Sequence, residues 1–292
     1  MKKLLIVGSG GQLGHLFIET ARLRENLRVF AYPHSLLDIS EEEEVREVFL
    51  EVQPDYCVNC AAYTAVDRAE NEPKKAQLIN ATGAANLAKA CAAIDCVFLH
   101  FSTDYVYADH YNRPLKETDE TDPKSVYAQT KLAGEQEVLA ANPKSVIIRT
   151  SWVYSEYGHN FVLSMRKLGQ DREQLRVVYD QVGSPTYARD LAEASLDLLF
   201  LGTSAGLSAS PLDRIYNYSN SGVTSWYDFC LAIHELAGIE GCRVLPILTK
   251  DYPLPAQRPS YSLLDKSKIT EVLGRAPRPW REALKDCLAR LD

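Results

Sequence analysis

The chain has 292 residues, of which 46% are hydrophobic and 24% are charged, which is typical of a globular protein with one large α/β unit and room for a smaller lobe. Its 32 basic and 39 acidic residues give a net charge of −7, and the lack of a basic run argues against a nucleic-acid partner. The apolar run Leu4–Val7 is too short for a membrane span or a signal peptide, so no membrane association is expected. Seven cysteines, an odd number, indicate a cytoplasmic location.

The N-terminus predicts a buried strand, a glycine-rich turn and a helix from Gln12 to about Leu23. Gly8-Ser-Gly10-Gly11-Gln-Leu-Gly14 follows the strand directly. Glycines permit a tight turn and let the backbone approach a pyrophosphate, which the helix N-terminus stabilises. Glycine-rich turns also occur without a ligand, but in this position the loop favours dinucleotide binding. The expected cofactor contacts are Gly8, Gly10, Gly11, Gln12, Leu13 and Gly14.

A second strand, from Leu27 to Tyr32, should end where the adenosine ribose of the cofactor lies. An NAD-specific site usually places an acid here, whereas this sequence has Tyr32-Pro-His-Ser35. No arginine that would bind a 2′-phosphate replaces the acid. We therefore expect both NADH and NADPH to serve as cofactors, with NADPH slightly favoured. The segment Ser40–Glu43 predicts a capping box that opens a helix to about Gln53.

The alternation of strand and helix continues to about residue 150. We expect strands at 55–60, 96–102 and 145–150, a ligand-binding loop at 61–72, a long helix at 73–93 and a helix that starts at Asp122-Pro123. This rhythm predicts a Rossmann-type, doubly wound parallel sheet for residues 1–150.

The rhythm loosens after residue 151. We expect helices at 160–168 and 188–201, a strand at 175–179, a surface loop at 202–211, strands near residues 215 and 244, and helices near residues 227, 269 and 280. These elements predict a smaller C-terminal α/β lobe over residues 151–292, mainly substrate-binding and interleaved with the last strands of the sheet.

The segment Tyr127-Ala-Gln-Thr-Lys131 carries the candidate chemistry. Residues four apart share one face of a helix, so the phenol and the ammonium should be neighbours. Because a cation favours the phenolate, we expect Lys131 to lower the pKa of Tyr127 toward the working range of an acid–base catalyst. Tyr-x-x-x-Lys also occurs by chance on ordinary helix faces. Together with the glycine loop, it favours proton transfer to a carbonyl oxygen or from an alcohol.

The glycine loop and the Tyr127/Lys131 pair resemble the extended short-chain dehydrogenase/reductase family. Within that family, four further stretches resemble the dTDP-4-dehydrorhamnose reductases, and the likeness runs from residue 4 to about residue 265. These stretches are Val58–Asp67, Phe101–Tyr107, Arg149–Tyr154 and Asp180–Thr186. The resemblance implies NAD(P)H-dependent reduction of the 4-keto group of dTDP-4-dehydro-6-deoxy-L-mannose, which yields dTDP-L-rhamnose.

The resemblance also implies roles for individual residues. Tyr127 is the expected proton donor, Lys131 also binds the nicotinamide ribose, and the Thr103 hydroxyl contacts the same substrate oxygen. Taken alone, Thr103 is better explained as a β-branched residue at a strand end, but its coincidence with Tyr127 at the carboxyl edge of the sheet favours the functional role. Further expected cofactor contacts are Asp38, Ile39, Ala62, Tyr63 and Thr64.

Three other residues are candidate substrate contacts, each with a simpler structural alternative. Asp104 contacts the sugar or caps a turn. Trp152 forms an aromatic wall of the site or packs at a strand end. Arg258 binds the diphosphate, for which its fork of donors is suited, or forms a surface salt bridge.

Some relatives dimerise through a metal held by glutamates. The corresponding positions here are Leu16 and Arg189, so we expect no metal site and a monomer or a weak homodimer.

Two competing functions stay open at this stage. One is the reduction of another nucleotide-linked keto-sugar. The other is a non-catalytic nucleotide-binding module like the regulatory subunit of methionine adenosyltransferase. The presence of Thr103, Tyr127 and Lys131 favours catalysis.

Overall fold

The computed structural model describes residues 1–205 and 210–291, and their centre is a parallel sheet of six strands. With labels in chain order, these strands are β1 (Lys2–Val7), β2 (Leu27–Tyr32), β3 (Tyr56–Asn59), β4 (Val97–Thr103), β5 (Ser145–Thr150) and β10 (Ile215–Tyr218). They are arranged in the order β10-β5-β4-β3-β1-β2. The run Leu4–Val7 is fully buried, as expected for a parallel sheet with helices on both faces.

Helices cover both faces of the sheet, which confirms the predicted doubly wound fold. One face carries α1 (Gln12–Arg22), α8 (Ala188–Ala205) and α10 (Ser267–Leu273). The other face carries α2 (Glu42–Val52), α5 (Ala84–Ala93) and α6 (Val126–Ala141). The strand order reverses at β1, which pairs with β2 on one side and with β3 on the other. Ligands of such sheets bind at the carboxyl ends of the strands beside this reversal.

The helix predicted at 73–93 is continuous but not regular. It consists of α4 (Pro73–Gln77), a π-helical segment (Leu78–Gly83) and α5. A π-helical segment inside an α-helix often marks a functional site, because it turns side chains out of the regular register. A short helix, α3 (Val66–Ala69), lies within the predicted loop at 61–72.

The chain after residue 150 forms short paired strands with helices packed around them. The strands β6 (Val153–Tyr154), β7 (Gln174–Val178) and β8 (Val182–Gly183) pair with β9 (Thr186–Tyr187), β12 (Arg243–Ile247) and β11 (Thr224–Ser225), respectively. The remaining helices are α7 (Phe161–Asp171), α9 (Trp226–Leu236) and α11 (Trp280–Ala289), with single 3₁₀ turns at Asp104–Val106, Leu212–Arg214 and Thr249–Asp251. Because β10 and α8 belong to the central sheet and its cover, this half of the chain returns to the first half twice.

Three local predictions were wrong. The helix α6, expected to start at Asp122-Pro123, begins at Val126 with Ser125 as its N-cap. The helix α2 begins at Glu42 with Glu41 as its N-cap and without a side-chain cap, because the Ser40 hydroxyl donates instead to Asp38 Oδ1 at 2.7 Å. The loop predicted at 202–211 begins later than expected, since α8 continues to Ala205. Residues 206–209 of that prediction lie outside the described residues. Over the described ranges, no helix is long and apolar enough to cross a membrane.

One buried ion pair connects α6 to the sheet. Arg149 on β5 donates from Nε and Nη2 to the two carboxylate oxygens of Glu135 on α6, at 2.9 and 2.7 Å. The two side chains are only 4% and 2% exposed. Removing one partner of such a pair leaves the other as an uncompensated buried charge.

We therefore expect Arg149→Met to lower the free energy of unfolding by about 3–5 kcal/mol, measured by urea denaturation. The double variant Glu135→Leu/Arg149→Met should recover most of this loss, because neither charge is then buried alone. Arg46→Met is the control, since it removes an exposed pair with Glu43 and should change little. A loss in Arg149→Met as small as in the control would contradict the expectation.

Candidate active site

The glycine loop joins β1 to α1 at the point where the strand order reverses. Gly8 has a φ of +71°, and a Cβ there would lie 2.4 Å from the Ala61 nitrogen. A Cβ on Gly14 would lie 2.6 Å from the Gly8 carbonyl oxygen. These two glycines are therefore required by the close approach of the backbone itself. A Cβ on Gly10 would meet only Pro33 Cβ, at 3.6 Å, so this position is open to a ligand.

The loop after β3 is held in place by two buried asparagines. Asn59 Oδ1 accepts the Ala61 N–H at 2.9 Å, and Asn80 Oδ1 accepts the Tyr63 N–H at 2.8 Å. Asn80 also donates to the Thr130 hydroxyl on α6, at 3.1 Å. The π-helical segment brings Asn80 against α6 so closely that a Cβ on Gly134 would lie 2.1 Å from the Asn80 carbonyl oxygen. Ala62, Tyr63 and Thr64 thus lie beside the glycine loop, at the same edge of the sheet.

The candidate catalytic residues meet at this edge. Thr103 is the last residue of β4, and Tyr127 and Lys131 lie in the first two turns of α6, which Ser125 caps by accepting the Ala128 N–H. The Thr103 hydroxyl donates to Asp104 Oδ1 at 3.1 Å. The ring of Tyr105 packs edge-on against that of Tyr127, with the ring centres 6.0 Å apart.

The expected effect of Lys131 on Tyr127 is absent. Burial raises the pKa of Tyr127 to about 12, while a hydrogen bond with Thr103 acts in the opposite direction. Lys131 is 3% exposed and donates from Nζ to the Phe101 carbonyl oxygen at 2.5 Å. Burial lowers the pKa of Lys131 to about 8, against the attraction of Glu135. The prediction that Lys131 lowers the pKa of Tyr127 was wrong: burial is the largest cause of the shift, and the other groups that act on the phenol are Thr103 and Asp104, not Lys131.

Sequence reasoning did not single out the residues behind Lys131. His100 Nε2 lies 3.4 Å from Lys131 Nζ, and His100 Nδ1 lies 3.1 Å from Asn59 Nδ2. Both His100 and Asn59 are 1% exposed. Their signal in the sequence is a polar residue inside an otherwise apolar strand, in Tyr56–Asn59 and in Val97–Phe101.

Two further candidate cofactor contacts, Asp38 and Ile39, lie in the segment after β2. Asp38 lies after β2, where its carboxylate accepts the Ser40 N–H at 2.9 Å. These contacts with Ser40 lower its pKa. Ile39 is 3% exposed and lies so close to Gly83 that a Cβ there would meet its side chain at 2.6 Å. His34 and Ser35 are exposed at the end of β2.

Of the three candidate substrate contacts, Arg258 lines a large cleft, while Asp104 and Trp152 are not among the described residues that line it. Asp104 is 3% exposed, and burial raises its pKa to about 7 against hydrogen bonds from Ser262 and Thr103. Its Oδ2 has no partner of good hydrogen-bond geometry in the described part of the chain. Trp152 stacks on Trp226 with ring centres 3.7 Å apart. Its φ of +49° is strained for a bulky residue, at a cost of about 1–3 kcal/mol. Arg258 forms a bidentate ion pair with Asp67, at 3.1 and 2.7 Å, and lines the cleft.

The cleft has a volume of about 870 Å³ and lies between α7, β7, α9 and the loop at 249–258. Its aromatic wall includes Phe161, Trp226 and Tyr252, and Arg172 and Arg176 line it together with Arg258. Trp226, which lines the cleft, stacks on Trp152. Arg258, which also lines the cleft, pairs with Asp67 in the loop after β3. Thr103, Tyr127 and Trp152 are not among the described residues that line the cleft, so the cleft adjoins the candidate catalytic residues through Trp226 and Arg258 without including them.

Comparison with known proteins gives the same assignment along the whole chain. The family model of the RmlD substrate binding domain matches residues 1–292. The chain belongs to the dTDP-4-dehydrorhamnose reductase family. It is 42% identical to dTDP-4-dehydrorhamnose reductase of Mycolicibacterium smegmatis over 99% of this chain and 85% of that protein. It is also 42% identical to the spore coat polysaccharide biosynthesis protein SpsK of Bacillus subtilis, over 99% of this chain and 97% of that protein.

Solved structures agree with the sequence relatives. The dTDP-4-dehydrorhamnose reductase of Bacillus anthracis, crystallised with NADP, has a TM-score of 0.91 at 36% identity and covers 99% of this chain and 100% of its own. The dTDP-4-dehydrorhamnose reductase of Clostridium acetobutylicum has a TM-score of 0.92 at 38% identity, with 99% of both chains covered.

In the glycine loop, Gly14 is required for backbone packing and Gly10 leaves space for a ligand. Substitutions at the two positions should therefore have different effects. We expect Gly14→Ala to lower the melting temperature, because its Cβ would collide with backbone. Gly10→Ala should leave the melting temperature unchanged and weaken NADPH binding at least tenfold, because its Cβ occupies ligand space. Gly241→Ala is the control, since a Cβ there meets nothing within 4 Å. Calorimetry and NADPH titration measure both effects; tight NADPH binding by Gly10→Ala would contradict the placement of the pyrophosphate.

Proposed function

We propose that this protein reduces the 4-keto group of dTDP-4-dehydro-6-deoxy-L-mannose with NADPH or NADH and thereby forms dTDP-L-rhamnose. The observation that carries the proposal is the meeting of Thr103, Tyr127 and Lys131 beside the glycine loop, in a chain that matches reductases of this name over its whole length. When bound, the dinucleotide supplies the hydride. The fit of the site to it is supported by Gly10, where a Cβ would meet only Pro33 Cβ at 3.6 Å, so that the backbone of the loop is open to a ligand.

The chain's own residues provide the proton and the orientation of the carbonyl. A pKa of about 12 keeps the Tyr127 phenol protonated at neutral pH, as a proton donor in the direction of reduction requires. Thr103, whose hydroxyl lies at the end of β4, is placed to hydrogen-bond the same substrate oxygen. Lys131 is the cation nearest to this pair on α6, where it can bind the nicotinamide ribose.

The cleft supports a nucleotide-linked sugar as the substrate. Arginine forks bind diphosphates, and Arg172, Arg176 and Arg258 line the cleft together with an aromatic wall on which a base can pack. The buried Asp104 Oδ2, without a partner of good hydrogen-bond geometry among the described residues, would be satisfied by a sugar hydroxyl. Asp67 holds Arg258 in a fixed orientation, and Trp152 with Trp226 forms the wall nearest to the reacting carbon.

The proposal also covers the domain organisation and the cellular location of the protein. We propose that residues 1–150 bind the dinucleotide and that residues 151–292 mainly bind the substrate, in a cytoplasmic enzyme. A monomer or a weak homodimer fits the place of Arg189, whose guanidinium binds Glu19 at 2.8 Å and Glu156 at 2.5 Å within the same chain.

The direct test is NADPH oxidation, followed by absorbance, with a panel of nucleotide keto-sugars. We expect the highest kcat/KM with dTDP-4-dehydro-6-deoxy-L-mannose. A higher value with another nucleotide keto-sugar would favour a sister reductase. Nucleotide binding without turnover of any member of the panel would favour a non-catalytic module.

Tyr127→Phe removes the proposed proton donor and keeps the ring. We expect kcat to fall about a hundredfold or more, with the Kd for NADPH nearly unchanged. Tyr216→Phe is a matched control, because it removes a phenol from β10 at the far edge of the sheet. Unchanged turnover in Tyr127→Phe would remove this residue as the donor.

Cofactor preference depends on the end of β2. Because neither an acid nor an arginine stands at Tyr32–Ser35, we expect kcat/KM for NADPH to exceed that for NADH by less than the about ten- to hundredfold that one charge-assisted hydrogen bond provides. Ser35→Arg should raise the ratio and Ser35→Asp should lower it. A wild-type preference for NADH above a hundredfold would show that an acid, with Asp38 the nearest candidate, binds the ribose.

A further inference from the structure

A line of buried polar contacts lies behind Lys131. Asn59 on β3 and His100 on β4 are direct cross-strand neighbours. The contact between Asn59 Nδ2 and His100 Nδ1 is 3.1 Å, and that between His100 Nε2 and Lys131 Nζ is 3.4 Å. All three side chains are at most 3% exposed. Their other hydrogen-bond partners are backbone groups, the Ala61 N–H for Asn59 and the Phe101 carbonyl oxygen for Lys131.

The backbone fixes which ring nitrogen of His100 carries the hydrogen. The Ala61 N–H can only donate, and it points at Asn59 Oδ1 from 2.9 Å. The amide of Asn59 must therefore direct its NH₂ group at His100 Nδ1, which has to accept. Burial lowers the pKa of His100 well below its usual value, and the Lys131 charge acts in the same direction. The ring is consequently neutral, with its hydrogen on Nε2.

This tautomer makes the contact with Lys131 selective for one protonation state. An ammonium has three donors and no acceptor, so a protonated Lys131 faces the His100 Nε2–H donor to donor. The neutral amine has a lone pair and can accept that hydrogen, while it still donates to the Phe101 carbonyl oxygen. The contact thus favours the amine over the ammonium.

We propose that His100, oriented by Asn59, is a positioning residue that destabilises the ammonium of Lys131 and so makes this lysine a reversible proton carrier for Tyr127. The idea rests on the proposed reductase function. In each turnover the hydride goes to the carbonyl carbon and the Tyr127 phenol gives its proton to the carbonyl oxygen. An Nζ–H bond of Lys131 then breaks as the phenol O–H bond forms again. The resulting amine accepts the His100 Nε2–H and regains its proton from solvent water.

The other charged and titratable groups near Lys131 also affect whether its ammonium or its neutral amine is favoured. On α6 itself, Tyr127 lies one turn before Lys131 and Glu135 one turn after it. Glu135 favours the ammonium, but its bidentate pair with Arg149 on β5 neutralises much of its charge. From β4, His100 and burial oppose the ammonium. Because burial raises the pKa of the Tyr127 phenol to about 12 and lowers that of Lys131 to about 8, the ammonium is the stronger acid and can return a proton to the phenolate.

The test measures Lys131 directly in the cofactor-free protein. Protein labelled with ¹³C at the lysine side chains is titrated by NMR, with Lys131 assigned by its loss in Lys131→Met. We expect His100→Leu, which removes the donor, to raise the titration midpoint, and His100→Gln, whose carboxamide oxygen can accept from the ammonium, to raise it further, by about one pH unit or more. His110→Gln, at an exposed histidine, should leave it unchanged.

Two further readouts separate this role from a merely structural one. In wild-type protein, ¹⁵N spectra of the histidines should show His100 with Nδ1 unprotonated and Nε2 protonated. Because the amine cannot donate a proton, kcat should fall as the pH rises through the midpoint of Lys131, and His100→Gln should displace this fall to higher pH by the same amount. A protonated Nδ1, or an unmoved midpoint in both His100 variants, would overturn the proposal. The NMR readouts need no turnover, so a failure of the proposed function would not be mistaken for a failure here.

Discussion

The burial of Lys131 is the constraint on which the arrangement of this site depends. A lysine that is 3% exposed costs free energy unless its amino group is hydrogen-bonded, and the carbonyl oxygen of Phe101 provides that bond. For the bond to form, α6 must lie close to β4. On its other side, α6 packs closely on the π-helical segment, through the Thr130–Asn80 contact and the absence of a Cβ at Gly134. The approach of α6 to β4 leaves Tyr127 only partly exposed, and burial of its phenol raises its pKa.

The most regular parts of the fold could be predicted from the sequence because they depend on local patterns. The strands β2 and β5 have the predicted bounds, since short runs rich in β-branched and aromatic residues between turn residues favour strands. The glycine loop was readable for a similar reason. The backbone collisions that exclude a side chain at Gly8 and Gly14 involve residues of the same βα turn and its adjacent strand.

The features that the sequence did not reveal depend on distant parts of the chain. The pKa of Tyr127 depends on how completely β4 and its neighbours exclude water from the phenol, and helical spacing carries no information about that. The π-helical segment at Leu78–Gly83 arises where the helix packs on α6. Arg258 pairs with Asp67, 191 positions away, and no local pattern predicts such a partner. Candidate residues for a role could therefore be proposed from the sequence, whereas their pKa values and their ion-pair partners could not.

The two halves of the site differ in how their charges are held. Around Lys131, charges are buried and paired at fixed distances, as in Glu135 and Arg149, so small changes in geometry alter protonation. Around the cleft, Arg172 and Arg176 are exposed, and water screens their charges until a ligand displaces it. A buried half is suited to proton transfer, because low polarity magnifies the effect of each charge. An exposed half is suited to capturing an anionic nucleotide, and Arg258, held by Asp67 at the junction, belongs to both.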